Sequence, residues 1–233
     1  MFQANFPKKK LPPLSDENLL SFDHFVNWLN LPALISIGAN AFDGCNNLTN
    51  ITIPEGVTSI GSYAFSGCRN LTSITIPEWI TSITEGTFMG CNSLTSITIP
   101  EKVTVIGNHA FNGCNSLTSI TIPDSVTSIG FQAFYGCSKL TSITIPAVVT
   151  NIGALAFSEC TGLKTAGLIG SESDYEFGWT TAIPSNAFSG CSNLTNITIP
   201  EGVTNIGNNA FQNCSSLTGI TIPEAVTGIG GSA

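Results

Sequence analysis

Apolar residues return to the same places every 23 residues along most of this chain, and the stretch from Leu71 to Cys91, LTSITIPEWITSITEGTFMGC, shows the unit. Leu71 to Ile76 alternates apolar residues with Thr or Ser, the period-two pattern of a strand with one buried face, so Leu71, Ile74 and Ile76 are predicted to point inward. Pro77 has no N–H to give a ladder and fixes its own φ, so it ends the strand and starts a turn. A second short strand is predicted at Ile80 to Ile83, with Ile60, Ile106, Ile129, Ile152, Ile206 and Ile229 in the equivalent places. The stretch that follows, GSYAFSGC from Gly61 to Cys68, joins a small residue, a Phe and a Gly before the next repeat. That composition predicts a tight helical or 3₁₀ turn.

One such rung cannot bury its apolar face alone. Stacked rungs bury a continuous core at about 4.8 Å per step, so stability is a sum of neighbour contacts. Residues 31–233 are therefore read as a leucine-rich-repeat solenoid of about eight complete rungs, with partial rungs at each end. Phe42, Phe65, Phe88, Phe111, Phe134, Phe157, Phe188 and Phe211 should form one internal column. Residues 1–30 read as an arm and a capping helix. Leu19, Phe22, Val26 and Leu29 recur at helical spacing between Ser15 and Asn30, Ser15 suits an N-cap, and Asp16 and Glu17 suit the positive helix end. Such a cap would cover the first rung. No cap is visible after Ile229 to Ala233, and the bare end predicts association with another copy.

The tandem motif LTSITIPxxVTSIGxxAFxGC resembles the BspA-like class of leucine-rich repeats over roughly Leu31 to Gly230. The resemblance implies a right-handed coil with a parallel β-sheet on its concave face, and a cell-surface or secreted protein engaged in adhesion or protein interaction. The chain departs from the general leucine-rich pattern at one place. Three residues after the last strand isoleucine, where Asn or Cys is usual, stand Gly56, Trp79, Lys102 and Ser125, so no asparagine ladder is expected there.

Composition narrows the chemistry. Hydrophobic residues make up 42% and charged residues 9%, and three of the seven basic residues, Lys8, Lys9 and Lys10, lie outside the repeats. With a formal net charge of -8 the repeat surface is acidic, which excludes nucleic acid as a partner because phosphates need Lys and Arg. Thr, Ser and Pro interrupt every Ile-rich stretch, so no run reaches the roughly 18 apolar residues of a membrane span, and membrane insertion is not expected. No export signal is visible after Lys10, which leaves a cytoplasmic site open beside the surface or secreted one.

Eight cysteines, spaced by 23 residues except for one interval of 31, act as a structural ruler. Neighbours in that column are a rung apart with parallel side chains, whereas a disulfide needs Cβ atoms about 3.8 Å apart and turned together, so buried free thiols are expected. No converging metal ligands occur: His24 lies in the cap, and His109 shares a variable position with Tyr63, Gln132, Leu155, Asn186 and Asn209. No nucleophilic triad, phosphate loop or paired-acid cleft is legible, so neither catalysis nor a cofactor is predicted.

Binding chemistry has three candidate places. Glu55, Glu78, Glu101 and Asp124 follow successive prolines, Ala147 breaks the run, and Glu201 and Glu224 resume it. This column is either a solvated turn or a cation or basic-partner site. On the outward strand face Thr75, Thr98, Thr121 and Thr144 stand in one column with Thr52, Thr198 and Thr221. These rows resemble ice-binding surfaces, but β-branched Thr favours strand for ordinary reasons and a concave sheet fits a flat ice plane poorly. The third place is the irregular rung between Cys160 and Cys191, where eight extra residues fall at about Ile169 to Thr180. Its sequence IGSESDYEFGWT alternates Glu172, Asp174 and Glu176 with Tyr175, Phe177 and Trp179, either a partner-binding rim or a local patch over a rung weakened at Ala166 and Gly167. The function expected is a non-enzymatic binding scaffold for a protein or glycan. A structural spacer and an intracellular or effector interaction module are the alternatives.

Overall fold

A computed structural model of the protein describes residues 34–168 and 182–233. The capping helix expected within residues 1–30 and the first residues of the repeat array lie outside them. The described residues form a β-solenoid of about eight parallel turns. Each turn carries up to two short strands. The second row consists of two-residue strands at Ser36–Ile37, Ser59–Ile60, Ser82–Ile83, Val105–Ile106, Ser128–Ile129, Asn151–Ile152, Ala182–Ile183, Asn205–Ile206 and Gly228–Ile229. The first row has Asn50–Thr52, Ser73–Thr75, Ser142–Ile145, Thr165–Leu168 and Asn196–Ile197. Every pairing is parallel, and in the regular rungs each residue faces its equivalent one repeat on, as Ile106 faces Ile129 and Ile51 faces Ile74.

The two rows differ in continuity. In the second row the ladder runs unbroken from Ser82–Ile83 to Asn151–Ile152 and again from Ala182–Ile183 to Gly228–Ile229. In the first row Asn50–Thr52 pairs with Ser73–Thr75, and Thr165–Leu168 sits between Ser142–Ile145 and Asn196–Ile197. Residues 96–99 and 119–122 between these runs form no strand, although they repeat the sequence SITI of 73–76 and 142–145. Identical local sequence with different pairing shows that strand propensity alone does not decide it.

The corner between the second strand and the cysteine is not a helix, and no helix occurs among the described residues. In a 3₁₀ turn every N–H bonds within its own turn. Here the donors alternate: Ala64, Ser66 and Cys68 donate to Gly61, Tyr63 and Phe65 of their own rung, while Tyr63, Phe65 and Gly67 donate to Glu85, Thr87 and Met89 of the next. The left-handed backbone at Tyr63 (φ 58) and Gly67 (φ 67) helps to turn alternate groups outward. The corner is thus a hydrogen-bonded ladder in its own right, and the helical reading is corrected by bonds that depend on a neighbouring rung. Gly107 shows how closely the rungs approach, because a Cβ there would stand 2.8 Å from the Glu85 nitrogen.

Inside the coil the eight phenylalanines form the expected column. Neighbouring rings are stacked with centroids 5.2 to 5.8 Å apart and planes within 2 to 15° of parallel. Val57, Ala64, Phe65, Cys68 and Leu71 are completely buried, and their equivalents repeat that burial through the central rungs.

The irregular rung enters and leaves in register. Thr165–Leu168 pairs over four residues with Ser142–Ile145, and Ala182–Ile183 pairs with Asn205–Ile206. Ala166, buried opposite Ile143 and Ile197, takes an isoleucine position without breaking the ladder, so the expected weakening at Ala166 and Gly167 does not reach the strand pairing. Phe188 keeps its place in the aromatic column.

Candidate functional site

Three columns of threonine run along the rungs, and their hydroxyls meet different fates. In one, Thr72, Thr95, Thr118 and Thr141 each donate to the carbonyl of the threonine one rung back, at 3.0 to 3.4 Å, and Thr195 donates to Lys164 O at 3.0 Å. In the second, Thr58, Thr104, Thr127, Thr150 and Thr227 donate in the same way at 3.2 to 3.3 Å, to Ile35, Thr81, Thr104, Thr127 and Thr204. The third column, Thr52, Thr75, Thr98, Thr121, Thr144, Thr198 and Thr221, is exposed, and none of its hydroxyls bonds another of the described residues. The reason is local geometry. Thr72 lies just before the strand and can send its hydroxyl beside its own N–H to Thr49 O, whereas Thr75 lies within the strand and stands out from the sheet.

Grooves open on this face where the first-row ladder lapses. One lies between Ile74, Thr75, Ile76 and Glu78 on one rung and Thr98, Ile99, Pro100, Glu101 and Lys102 on the next, with Glu55 at its edge. Another runs from Asn196–Ile199 and Glu201 to Thr218–Thr221. Thr75 and Thr98 thus share a groove, while Thr121 and Thr144 continue the same column outside it. Glu55, Glu78, Glu101, Asp124, Glu201 and Glu224 are all exposed along one margin of the face. The other proposed contact residues, Glu172, Asp174, Tyr175, Glu176, Phe177 and Trp179, lie outside the described residues.

Trp79, next to Glu78 of the groove lining, was not among the contact residues expected from sequence. It is 57% exposed, and the Lys102 ammonium lies 3.5 Å from the centroid of its ring. A signal was present: a large aromatic stands in a column that otherwise holds Gly56, Lys102, Ser125, Val148, Gly202 and Ala225.

The cysteines hold the opposite corner. Each Sγ from Cys68 to Cys214 donates to the carbonyl of the phenylalanine 26 residues back in the regular rungs, as Cys91 to Phe65 O at 3.2 Å and Cys114 to Phe88 O at 3.2 Å. The same Phe65 carbonyl accepts the N–H of Cys68, so one oxygen joins two rungs. Burial pushes the Cys68 thiol up to about 12, raises Cys91 and Cys191 further, and holds Cys114 well above its ordinary value. All eight cysteines are free, but Cys45 is exposed and Cys214 only half-buried, which corrects the expectation of uniform burial. A short asparagine bridge also exists, displaced from the position where its absence was expected. With their amide nitrogens turned to the carbonyls, Asn92 bonds Gly90 and Gly113, and Asn115 bonds Gly113 and Gly136. Among the described residues no group of three or more His, Cys, Asp or Glu could hold a metal ion, and no helix is long and apolar enough to cross a membrane.

A stack of parallel rungs, closed by aromatic and thiol columns and polar on one face, defines a leucine-rich-repeat solenoid. The BspA type leucine rich repeat region, in six copies, matches residues 23–130, 81–175 and 180–233, and the chain belongs to this family. It is similar to the solved leucine rich repeat protein of T. pallidum, with 28% identity, 78% of this chain and 71% of that chain covered, and a TM-score of 0.51. A leucine-rich repeat protein from Eubacterium ventriosum shares the fold at 24% identity, covering 84% of this chain and 78% of that one, with a TM-score of 0.51. A leucine rich cell surface protein from Faecalibacterium prausnitzii aligns at 28% identity over 85% of this chain and 83% of that one, with a TM-score of 0.47. No curated protein matches the chain.

Proposed function

We propose that this protein is a non-enzymatic binding scaffold, an adhesion or protein-interaction module that works at a cell surface or after secretion. One observation carries the reading. Of three threonine columns built from the same repeat, two spend their hydroxyls on neighbouring rungs and the third presents an unpaired row to solvent. A rigid surface of unpaired donors and acceptors beside grooves is what a protein or glycan partner requires. Family placement supports the surface or secreted location, and a repeat array typical of interaction scaffolds supports binding without catalysis.

The test compares columns. Labelled protein is titrated onto immobilised extracellular-matrix proteins and glycan-coated surfaces. The variant with Thr75, Thr98, Thr121 and Thr144 all changed to Ala is expected to bind at least tenfold more weakly with an unchanged melting temperature, on the order of 1.4 kcal/mol of binding free energy. Unaltered binding by that variant would remove the face from the site. Loss of binding in Tyr175→Ala with Trp179→Ala instead would move the site to the irregular rung, with Glu172, Asp174, Glu176 and Phe177 beside it.

A further inference from the structure

We infer that the groove between the rungs of Thr75 and Thr98 is a subsite for a neutral saccharide, stacked on Trp79. The inference rests on the binding-scaffold reading and names one ligand class within it. The first observation is the ring itself. An indole 57% exposed on a rigid turn offers a large apolar face that folding leaves uncovered. One rung later in its column Lys102 engages the ring at 3.5 Å, whereas one rung earlier stands Gly56, which has no side chain to cover it. The second observation is the adjoining groove, which exists because the first-row strands are not paired between residues 73–75 and 96–99. Ile74, Ile76 and Ile99 line it while their side chains stay buried in the core, so its open surface is formed by outward groups, and its polar groups are of complementary kinds. Carboxylates of Glu78 and Glu101 accept only, the Lys102 ammonium donates only, and the free hydroxyls of Thr75 and Thr98 do both.

That mixture matches a ligand whose own groups both donate and accept and whose ring faces are apolar, which describes a pyranose. Charge decides between the alternatives. Acidic sugars would meet the carboxylates of Glu55, Glu78 and Glu101. A cationic peptide would place its positive charge where Lys102 already lies against the indole, so like charges would compete for one ring. A neutral sugar meets neither repulsion. Its hydroxyls can replace water on these exposed donors and acceptors, each exchange adding modestly, so the stacked ring face carries the larger share of affinity.

The full chain is titrated with cellotetraose and chitotetraose, followed by tryptophan fluorescence and calorimetry, with oligogalacturonate and hexalysine as charged comparisons. Saturable binding of a neutral oligosaccharide is expected, in roughly the micromolar to millimolar range. Trp79→Ala should weaken it at least tenfold, Trp79→Phe should weaken it less, and Glu78→Gln with Glu101→Gln should weaken it without changing the melting temperature. An unchanged melting temperature in Trp79→Ala would show that the fold is intact. The inference is overturned if neither neutral oligosaccharide binds, if Trp79→Ala binds as the parent does, or if either charged probe binds more tightly than both sugars. Should the sugars fail while the threonine variant still loses its partner, only this subsite falls and the scaffold reading stands.

Discussion

The two sides of each rung handle the same repeat in opposite ways. At the corner of Phe65 and Cys68, backbone N–H groups reach the next rung, thiols reach the previous one and aromatic rings stack between them. Across the first row, the SITI segments at 96–99 and 119–122 form no strand, and the Thr98 and Thr121 hydroxyls have no partner among the described residues. A residue repeated every rung is therefore not equally structural at every column. What separates the columns that hold the array from those free to act is whether each polar group is satisfied by its neighbour.

The largest expected contrast is with pH. Unfolded thiols ionise near about 8.5, while Cys68 is held up to about 12, Cys91 and Cys191 higher still, and Cys114 well above its ordinary value. The unfolded chain therefore loses these protons first. The thiol contribution is complete below about pH 8.5 and falls as pH rises above it. Melts with reductant at pH 8 and pH 10 should show a steep drop that shrinks in Cys114→Ala. Equal melting temperatures at the two pH values would mean that the thiols are not buried as described.

Truncating the aromatic column comes next. Phe111→Ala removes a completely buried ring stacked on both sides and should cost about 3 to 5 kcal/mol in denaturant titration. A loss below 1 kcal/mol would place the strength of the array elsewhere. Cys114→Ser keeps a donor toward Phe88 O but shortens it and buries a more strongly hydrated hydroxyl, for an expected loss of about 1 to 3 kcal/mol. The mildest pair is the most pointed. Thr127→Val deletes a donor to Thr104 O and should cost about 1 kcal/mol, whereas Thr98→Val deletes no internal bond and should stay within about 0.5 kcal/mol. Equal costs for the two would erase the distinction between closed and open columns.

Much of this was legible in the sequence because the period is fixed at 23 residues: the inward rows, the phenylalanine column, the thiol column and the outward threonines all follow from alignment on the cysteines. The corner was not, because whether Phe65 N–H bonds within its turn or to Thr87 O depends on a carbonyl in another rung. The interruption at 96–99 was equally hidden, since its letters repeat those of paired strands. Three threonines per rung read alike as residues, and only their placement relative to the carbonyl one rung back shows which are occupied. Trp79 was visible as an odd residue in its column, but its partner Lys102 became evident only when the rungs were stacked.

The alternation of donors at the corner gives every junction between rungs a direction. Tyr63, Phe65 and Gly67 send their N–H groups forward, while the Thr72 N–H and hydroxyl and the Cys68 thiol reach backward, so each junction is sewn from both sides by the same stitches. Junctions of this kind are interchangeable. Removing residues 92–114 would join Cys91 to Asn115 and present the same donors and acceptors as before, whereas removing half that length would set each group opposite the wrong partner. Evolution can therefore lengthen or shorten this protein only in whole turns, or by added segments that leave and rejoin the coil in step, as between Leu168 and Ala182. Its reach is quantised by its own bonding.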